Sequence, residues 1–190
     1  MEFNLLEELK NYKAFNETEA SRVLKTIEFL ETKENLYSRS NLEGHVTAGG
    51  FIVDENGNIL INRHKNSIHW LQFGGHSDGN SNSLEVAIRE INEESGIFDL
   101  KLISDKILDV DIHIVPNNEK RNEPEHLHYD VNFLFFTKQK EFTISDESDE
   151  IRWVSIDEAK VLLGTTSESK VRMIAKIEQM FLNHPEKFKP

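Results

Sequence analysis

The first 44 residues carry a helical rhythm of apolar positions. Phe3, Leu6 and Leu9 recur at three-residue intervals in EFNLLEELKNYKA, which predicts a short helix over 2–14. Asn16 is placed to cap a second helix, along which Val23, Leu24, Ile27 and Leu30 form one apolar side. Residues 35–44 read as a connection. The rhythm then changes: HVTAGGFIVDENGNILINRHK predicts two strands around a turn at Asn56-Gly57. NSIHWLQFGGHSDGNSNS is loop-rich, and LEVAIREINEES predicts a helix from near Ser83 that stops at Gly96. LKLISDKILDVDIHIVP and PEHLHYDVNFLFFTK predict strands, and the polar segment NNEKRNE between them is expected to be mobile. EIRWVSI reads as a strand and IDEAKVLLG as a short helix. SESKVRMIAKIEQMFLNH reads as a closing helix with Val171, Ile174, Ile177 and Phe181 on its apolar side. Trp70 and Trp153 are expected in the core. A strand-rich centre with one central and one later helix makes the fold class α+β. The expected organisation is a helical extension over 1–44, a domain over 45–165, and a C-terminal helix over 166–190 packed on it.

Composition narrows the function classes. A chain of 190 residues with 37% hydrophobic and 29% charged residues suits one globular domain with an ordinary core. No stretch approaches the length of a membrane span, and MEFNLLEELK does not read as a signal peptide. With no cysteine there is no disulfide, thiolate metal site or cysteine nucleophile, which fits a cytoplasmic protein. A net charge of −12 repels nucleic-acid polymers, and an anionic substrate would need a local cation to bring it in.

One helix works against its own local energetics. Glu90, Glu93 and Glu94 stand at i, i+3 and i+4 and so share a face, where like charges repel by roughly a few tenths of a kcal/mol per pair. Gly96 ends the helix, so the carboxylates also lie toward the negative end of its dipole. A solvated acidic face is one reading. A divalent cation held among the carboxylates is another, since Mg²⁺ and Mn²⁺ prefer oxygen ligands and keep waters for substrate phosphates. The glycines Gly74, Gly75 and Gly79 just before the helix favour the second, because they let backbone approach a ligand closely.

The stretch GGHSDGNSNSLEVAIREINEESGI resembles the Nudix box, G-x5-E-x7-R-E-U-x-E-E-x-G-U with U aliphatic. It runs from Gly75 through Arg89, Glu90, Ile91, Glu93, Glu94 and Gly96 to Ile97, and its one departure is Ser81 at the first Glu position. A register starting at Gly79 with Glu85 leaves only three residues before Arg89 and fails. ILINRHKNSIHWLQFGGH and EIRWVSIDEA are similar to the flanks of such domains, although Phe73 stands where many members have proline. The resemblance covers about 45–165 and extends to a MutT-like subgroup with an N-terminal helical extension and a GGHxDG loop.

The resemblance implies a mixed sheet in an α/β/α sandwich and metal-dependent hydrolysis of a small-molecule diphosphate. Such a substrate is a nucleoside diphosphate linked to another group, or a related organic diphosphate, and water attacks phosphorus. Carried over, Glu90, Glu93 and Glu94 are ligands of Mg²⁺ or Mn²⁺, with the backbone at Gly74 or Gly75 completing the shell. Arg89 would orient Glu90, and Glu90 or a later carboxylate, Glu147 or Glu150, would be the base. DESDE otherwise reads as an ordinary acidic loop. Glu85, one turn before Arg89, could replace the missing first Glu as its ion-pair partner. Homodimers fit the family, and the terminal helices are packing or dimer elements.

VDIHIV and HLHYDV form a second constellation. Asp109, Asp111 and His113 alternate on one strand, and His126, His128 and Asp130 on the next, so each set projects to one side of a sheet. A polar substrate wall, an extra metal site and a hydrogen-bonded sheet face are all compatible with that pattern. His76, after the glycines, could reach a phosphate. Two other functions stand beside hydrolysis. Isopentenyl diphosphate isomerases share the fold but use a cysteine that this chain lacks. A non-catalytic ligand-binding domain gains weight from Ser81.

Overall fold

The computed structural model describes residues 3–65, 69–103, 106–119, 123–164 and 167–189. Helices α1 (Leu5–Lys10) and α2 (Glu17–Thr32) come first. Strands β1 (Gly44–Val53), β2 (Ile59–His64), β3 (Trp70–Leu71) and β4 (Phe73–His76) precede helix α3 (Ser83–Ser95). Strands β5 (Lys101–Leu102), β6 (Asp109–Val115), β7 (His126–Phe136) and β8 (Ser148–Val154) lead to α4 (Ile156–Leu163), α5 (Glu168–Asn183) and a 3₁₀ turn at Pro185–Phe188.

Helix starts follow the capping chemistry. Asn16, Asn82 and Ser155 accept from the backbone N–H of Glu19, Glu85 and Glu158, contacts typically worth ~1 kcal/mol each. Ser155 and Glu158 form a reciprocal capping box. α3 ends at Gly96, whose φ of 67° closes it in the left-handed conformation.

The strands form one mixed sheet in the order β3-β2-β1-β7-β5, with β4 paired to β1, β6 to β7 and β8 to β2. β1 and β7 run parallel from Gly44↔Leu127 to Val53↔Phe136, and both are central strands. Side-chain alternation separates two cores. On one face Val46, Ala48, Val131 and Phe133 pack with Val86, Ala87 and Ile91 of α3 and with Leu5, Leu9, Val23 and Phe29 of the N-terminal helices. On the other, Phe51, Val53, Leu134 and Phe136 pack with Ala159 and Leu163 of α4 and Met173, Ile174 and Ile177 of α5.

Several sequence expectations need correction. The stretch read as loop contains β3 and β4. β4 forms although it is half glycine, because its partner on β1 is glycine too. Gly74 pairs with Gly49, and a Cβ on Gly74 would meet the Cα of Gly49 at 2.7 Å. The strand read over 100–116 is broken: its first part is two residues long and pairs with the end of β7, and a second strand starts at Asp109. α1 is shorter than predicted and buries Leu5 and Leu9, leaving Phe3 and Leu6 half-buried. Leu24 and Val171 are exposed, while Phe29 and Met173 take the buried positions. Trp70 is buried and Trp153 half-buried. Within NNEKRNE, residues 117–123, Asn118 and Glu123 form an isolated antiparallel bridge, and the expectation of mobility at 120–122 lies outside the described residues.

α2, β6 and α5 are tied by a buried ion-pair network. Lys176 Nζ lies 2.6 Å from Glu19 Oε1 and 2.8 Å from Asp109 Oδ2. Arg172 makes a two-pronged contact to Asp109 at 2.8 and 2.7 Å, and Tyr12 donates to Glu19. Asp109, grouped with Asp111 and His113 by period, is therefore fully buried and committed to α5.

Candidate active site

The box places its carboxylates where β4 meets α3. Glu94 is 6% exposed, and its Oε2 accepts from the Gly74 N–H at 3.1 Å. Burial raises its carboxyl to about 8, and the charges of Glu90, Glu147 and Glu93 push the same way. Glu90 is half-buried and raised for the same leading reason. Its carboxylate occupies the space a side chain on Gly75 would take: a Cβ there would sit 2.5 Å from Glu90 Oε2. Glu93 is exposed. Arg89 binds Glu90 at 2.8 Å and Glu93 at 3.2 Å, and donates to the His76 carbonyl at 2.8 Å. Among the described residues no ion pair joins Glu94 to a cation.

The first box position is handled differently from the sequence expectation. Ser81 is exposed. Glu85 accepts from Asn80 Nδ2 at 3.3 Å instead of reaching Arg89, whose guanidinium already holds Glu90, Glu93 and the β4 backbone. The loop between β4 and α3 is pinned from the N-terminal side. The Gly79 N–H donates to the Tyr37 carbonyl at 2.8 Å, and Arg39 forks onto Asp78 at 2.7 and 2.9 Å. These anchors carry no motif and were not predicted.

Of the later carboxylates, Glu150 on β8 pairs with Arg63 at 3.3 Å. Glu147 is exposed, lies 3.6 Å from His64 Nε2, and is near enough to Glu94 for its charge to raise that carboxyl.

The second constellation divides. Asp111 is buried against Arg22 at 2.6 Å. Asp130 accepts from Thr47 Oγ1 and lies 3.8 Å from His113 Nδ1. The histidines gather on the sheet face away from α3, because Gly75 faces Glu90 and the next residue, His76, points the other way. Parallel pairing sets His45 beside His128, and antiparallel pairing sets His113 beside His128 from the other side. The ring of His128 lies 4.8 Å from His45, 5.0 Å from His76 and from His126, and 5.3 Å from His113. Burial and neighbouring imidazoles hold His128 down to about 2. Burial, with the nearby Arg39 and His45, holds His76 down to about 4. Both rings are thus neutral at pH 7.

Hydrogen bonds assign protons within the group. His126 Nδ1 lies 2.8 Å from the Pro124 carbonyl and so donates, leaving Nε2 to accept from His128 Nε2 at 3.2 Å. His45 is 2% exposed; its Nδ1 lies 3.5 Å from the Asn41 carbonyl, and its buried Nε2 has no hydrogen-bond partner among the described residues. An orphaned buried nitrogen of this kind typically costs about 1–3 kcal/mol. His45 was not singled out in the sequence; only the β1–β7 register reveals its neighbours.

The comparisons agree with this architecture. The C. elegans Ap4A hydrolase structure superposes with a TM-score of 0.55 at 16% identity, over 73% of this chain and 98% of its own. The structure of the E. coli dihydroneopterin triphosphate pyrophosphohydrolase gives 0.56 at 17% identity, over 73% and 95%. These two share the fold. A Nudix-family hydrolase from Clostridium perfringens gives 0.53 at 25% identity, over 72% and 97%. The NUDIX domain family model matches residues 43–177, so the chain belongs to the Nudix family and is a Nudix hydrolase. A sequence relative, "Probable DHNTP pyrophosphohydrolase" of Lactococcus lactis subsp. cremoris (strain MG1363), is 29% identical over 126 residues, 66% of this chain and 74% of its own.

Proposed function

We propose that the protein is a metal-dependent pyrophosphohydrolase that splits a small organic or nucleoside polyphosphate by water attack on phosphorus. The observation that carries this reading is a pair of carboxylates, half-buried Glu90 and buried Glu94, set against the glycine backbone of β4. Arg89 pairs with Glu90, and no ion pair joins Glu94 to a cation among the described residues.

The donor set fits a hard divalent cation. It consists of oxygens, and two of its three carboxylates are held above their usual range by burial and mutual charge, a condition a cation relieves. Glu90, Glu93, Glu94 and the Gly75 carbonyl would hold Mg²⁺ or Mn²⁺. When bound, such an ion neutralises phosphate charge and acidifies its water. The chain's own groups set the geometry. Arg89 ties Glu90 to the His76 carbonyl and so acts as a positioning residue. The Gly74 N–H fixes the direction of Glu94. Glu147 is the favoured base: it is exposed and close enough to influence Glu94, whereas Glu150 is engaged with Arg63. As water forms the new P–O bond, its proton passes to that carboxylate and the bridging P–O bond breaks.

The experiment is hydrolysis of a polyphosphate panel with Mg²⁺ or Mn²⁺, wild type beside Glu94→Gln. Dihydroneopterin triphosphate heads the panel because the L. lactis relative and the E. coli structure carry its name. Turnover by the wild type, falling about 10³-fold or more in the variant, is the expected result. No turnover on any member, with ion still bound, overturns the substrate class. Absence of ion binding overturns the account of the carboxylates.

A further inference from the structure

We propose that His45, His76 and His128 form a tris-imidazole site for a divalent transition-metal ion of the zinc class, on the sheet face opposite the carboxylate helix. The three residues come from β1, β4 and β7, and one nitrogen from each lies within 4.8 Å of the other two. A zinc ion with nitrogen ligands at about 2.0–2.1 Å wants those atoms roughly 3.4 Å apart, so nitrogens within 4.8 Å of one another must close by up to about 1.4 Å.

Two observations separate this group from a mere stack of rings. His45 is buried among the imidazoles, its Nδ1 beside the Asn41 carbonyl, which leaves its Nε2 lone pair unused. His128 donates from Nε2 to His126, which is itself anchored on Pro124, so a proton on His128 has an outside acceptor. Holding the remote N–H of an imidazole on a carbonyl or neighbour is how proteins fix a metal-bound histidine.

The donor chemistry also divides the two sites. Three neutral nitrogens with no carboxylate among them select Zn²⁺ and its neighbours over Mg²⁺ and Mn²⁺, whereas the α3 glutamates do the reverse. Three protein ligands leave a coordination position for water or an anionic oxygen. In a chain of net charge −12, the ion would be a local attractor for a phosphate.

Calorimetric titration with Zn²⁺, in saturating Mg²⁺ to occupy the carboxylate helix, tests it. Wild type and Glu94→Gln are each expected to bind one Zn²⁺ per chain and to gain thermal stability from it. The double variant His76→Gln/His128→Gln is expected to bind at least about 100-fold more weakly. His45→Ala should behave likewise; if burial of His45 makes that variant fail to fold, the half-buried His76 and His128 decide. Circular dichroism confirms the fold of each variant. No Zn²⁺ binding by the wild type, unchanged binding in the histidine variants, or binding lost with Glu94 would each overturn the proposal.

Discussion

Buried carboxylates occur in two places in this protein, and they are treated in opposite ways. Glu19 and Asp109, between α2, β6 and α5, are fully buried, yet Lys176, Arg172 and Tyr12 supply donors to them. Burial pushes both up. At Glu19 the contacts from Lys176, the Phe15 N–H and Tyr12 outweigh it and leave the carboxyl below its usual value, while Arg172 and Lys176 offset only part of it at Asp109, which is raised to about 6. Glu94 is buried as well, receives one backbone N–H, and is surrounded by other carboxylates. The first group closes its own electrostatics and holds helices together. The second is left short of positive charge, the condition in which a ligand cation has most to gain. The missing counter-charge, more than burial itself, distinguishes a site from a structural pair.

The largest effects should fall on opposite properties. Glu94→Gln is expected to lose turnover while keeping or raising the melting temperature of the metal-free protein, since it removes a carboxyl whose ionisation burial and the neighbouring carboxylates oppose. Lys176→Met should do the reverse. It strands Glu19 beside Asp109, so about 3–5 kcal/mol of stability is expected to go, with kcat per folded molecule unchanged. Denaturant unfolding and active-site titration read the two quantities. A Lys176 variant of wild-type stability would erase the distinction.

A smaller effect appears in pH dependence without metal. Glu94 is raised from 4.5 to about 8, so the folded protein keeps a proton that the unfolded chain has released. Between those values its contribution to stability falls as pH rises. His76 and His128 are lowered from 6.5 to about 4 and about 2, so their contribution is full above pH 6.5 and is lost as pH falls below it. The melting temperature is therefore expected to decline from pH 6.5 to 8 and also on the acid side. Glu94→Gln should flatten the alkaline limb and His128→Gln should soften the acid one, as scanning calorimetry would show.

The smallest effect belongs to Ser81→Glu, which restores the usual box residue. Arg89 already has three partners, so activity should change by only about a few-fold. A gain of about 100-fold or more would show that the box is incomplete as it stands.

How far the sequence could be read depended on how local each feature is. The box was legible because its glycines, Arg89 and glutamates lie within one loop and one helix, where spacing alone sets the geometry. β4 was not, because a glycine-rich strand has no propensity of its own and forms only against the glycines of β1. Alternation on β6 and β7 was read correctly, but it could not show that α5 would take Asp109 or that α2 would present Arg22 to Asp111. His45 lay hidden for a similar reason. Its partner on β7 is fixed by a parallel register between residues 83 positions apart, His45 and His128.

The two restraints on the glycine loop, Tyr37 to Gly79 and Arg39 to Asp78, come from residues that precede the family-matched segment. A protein trimmed to that segment would retain every box residue and still release the loop that presents them, while also deleting Glu19 from beneath Lys176. Anyone transplanting this site into another scaffold, or shortening the chain for spectroscopy, would need to move the boundary back past α2. The stretch recognisable by ancestry is smaller here than the stretch that must be inherited together.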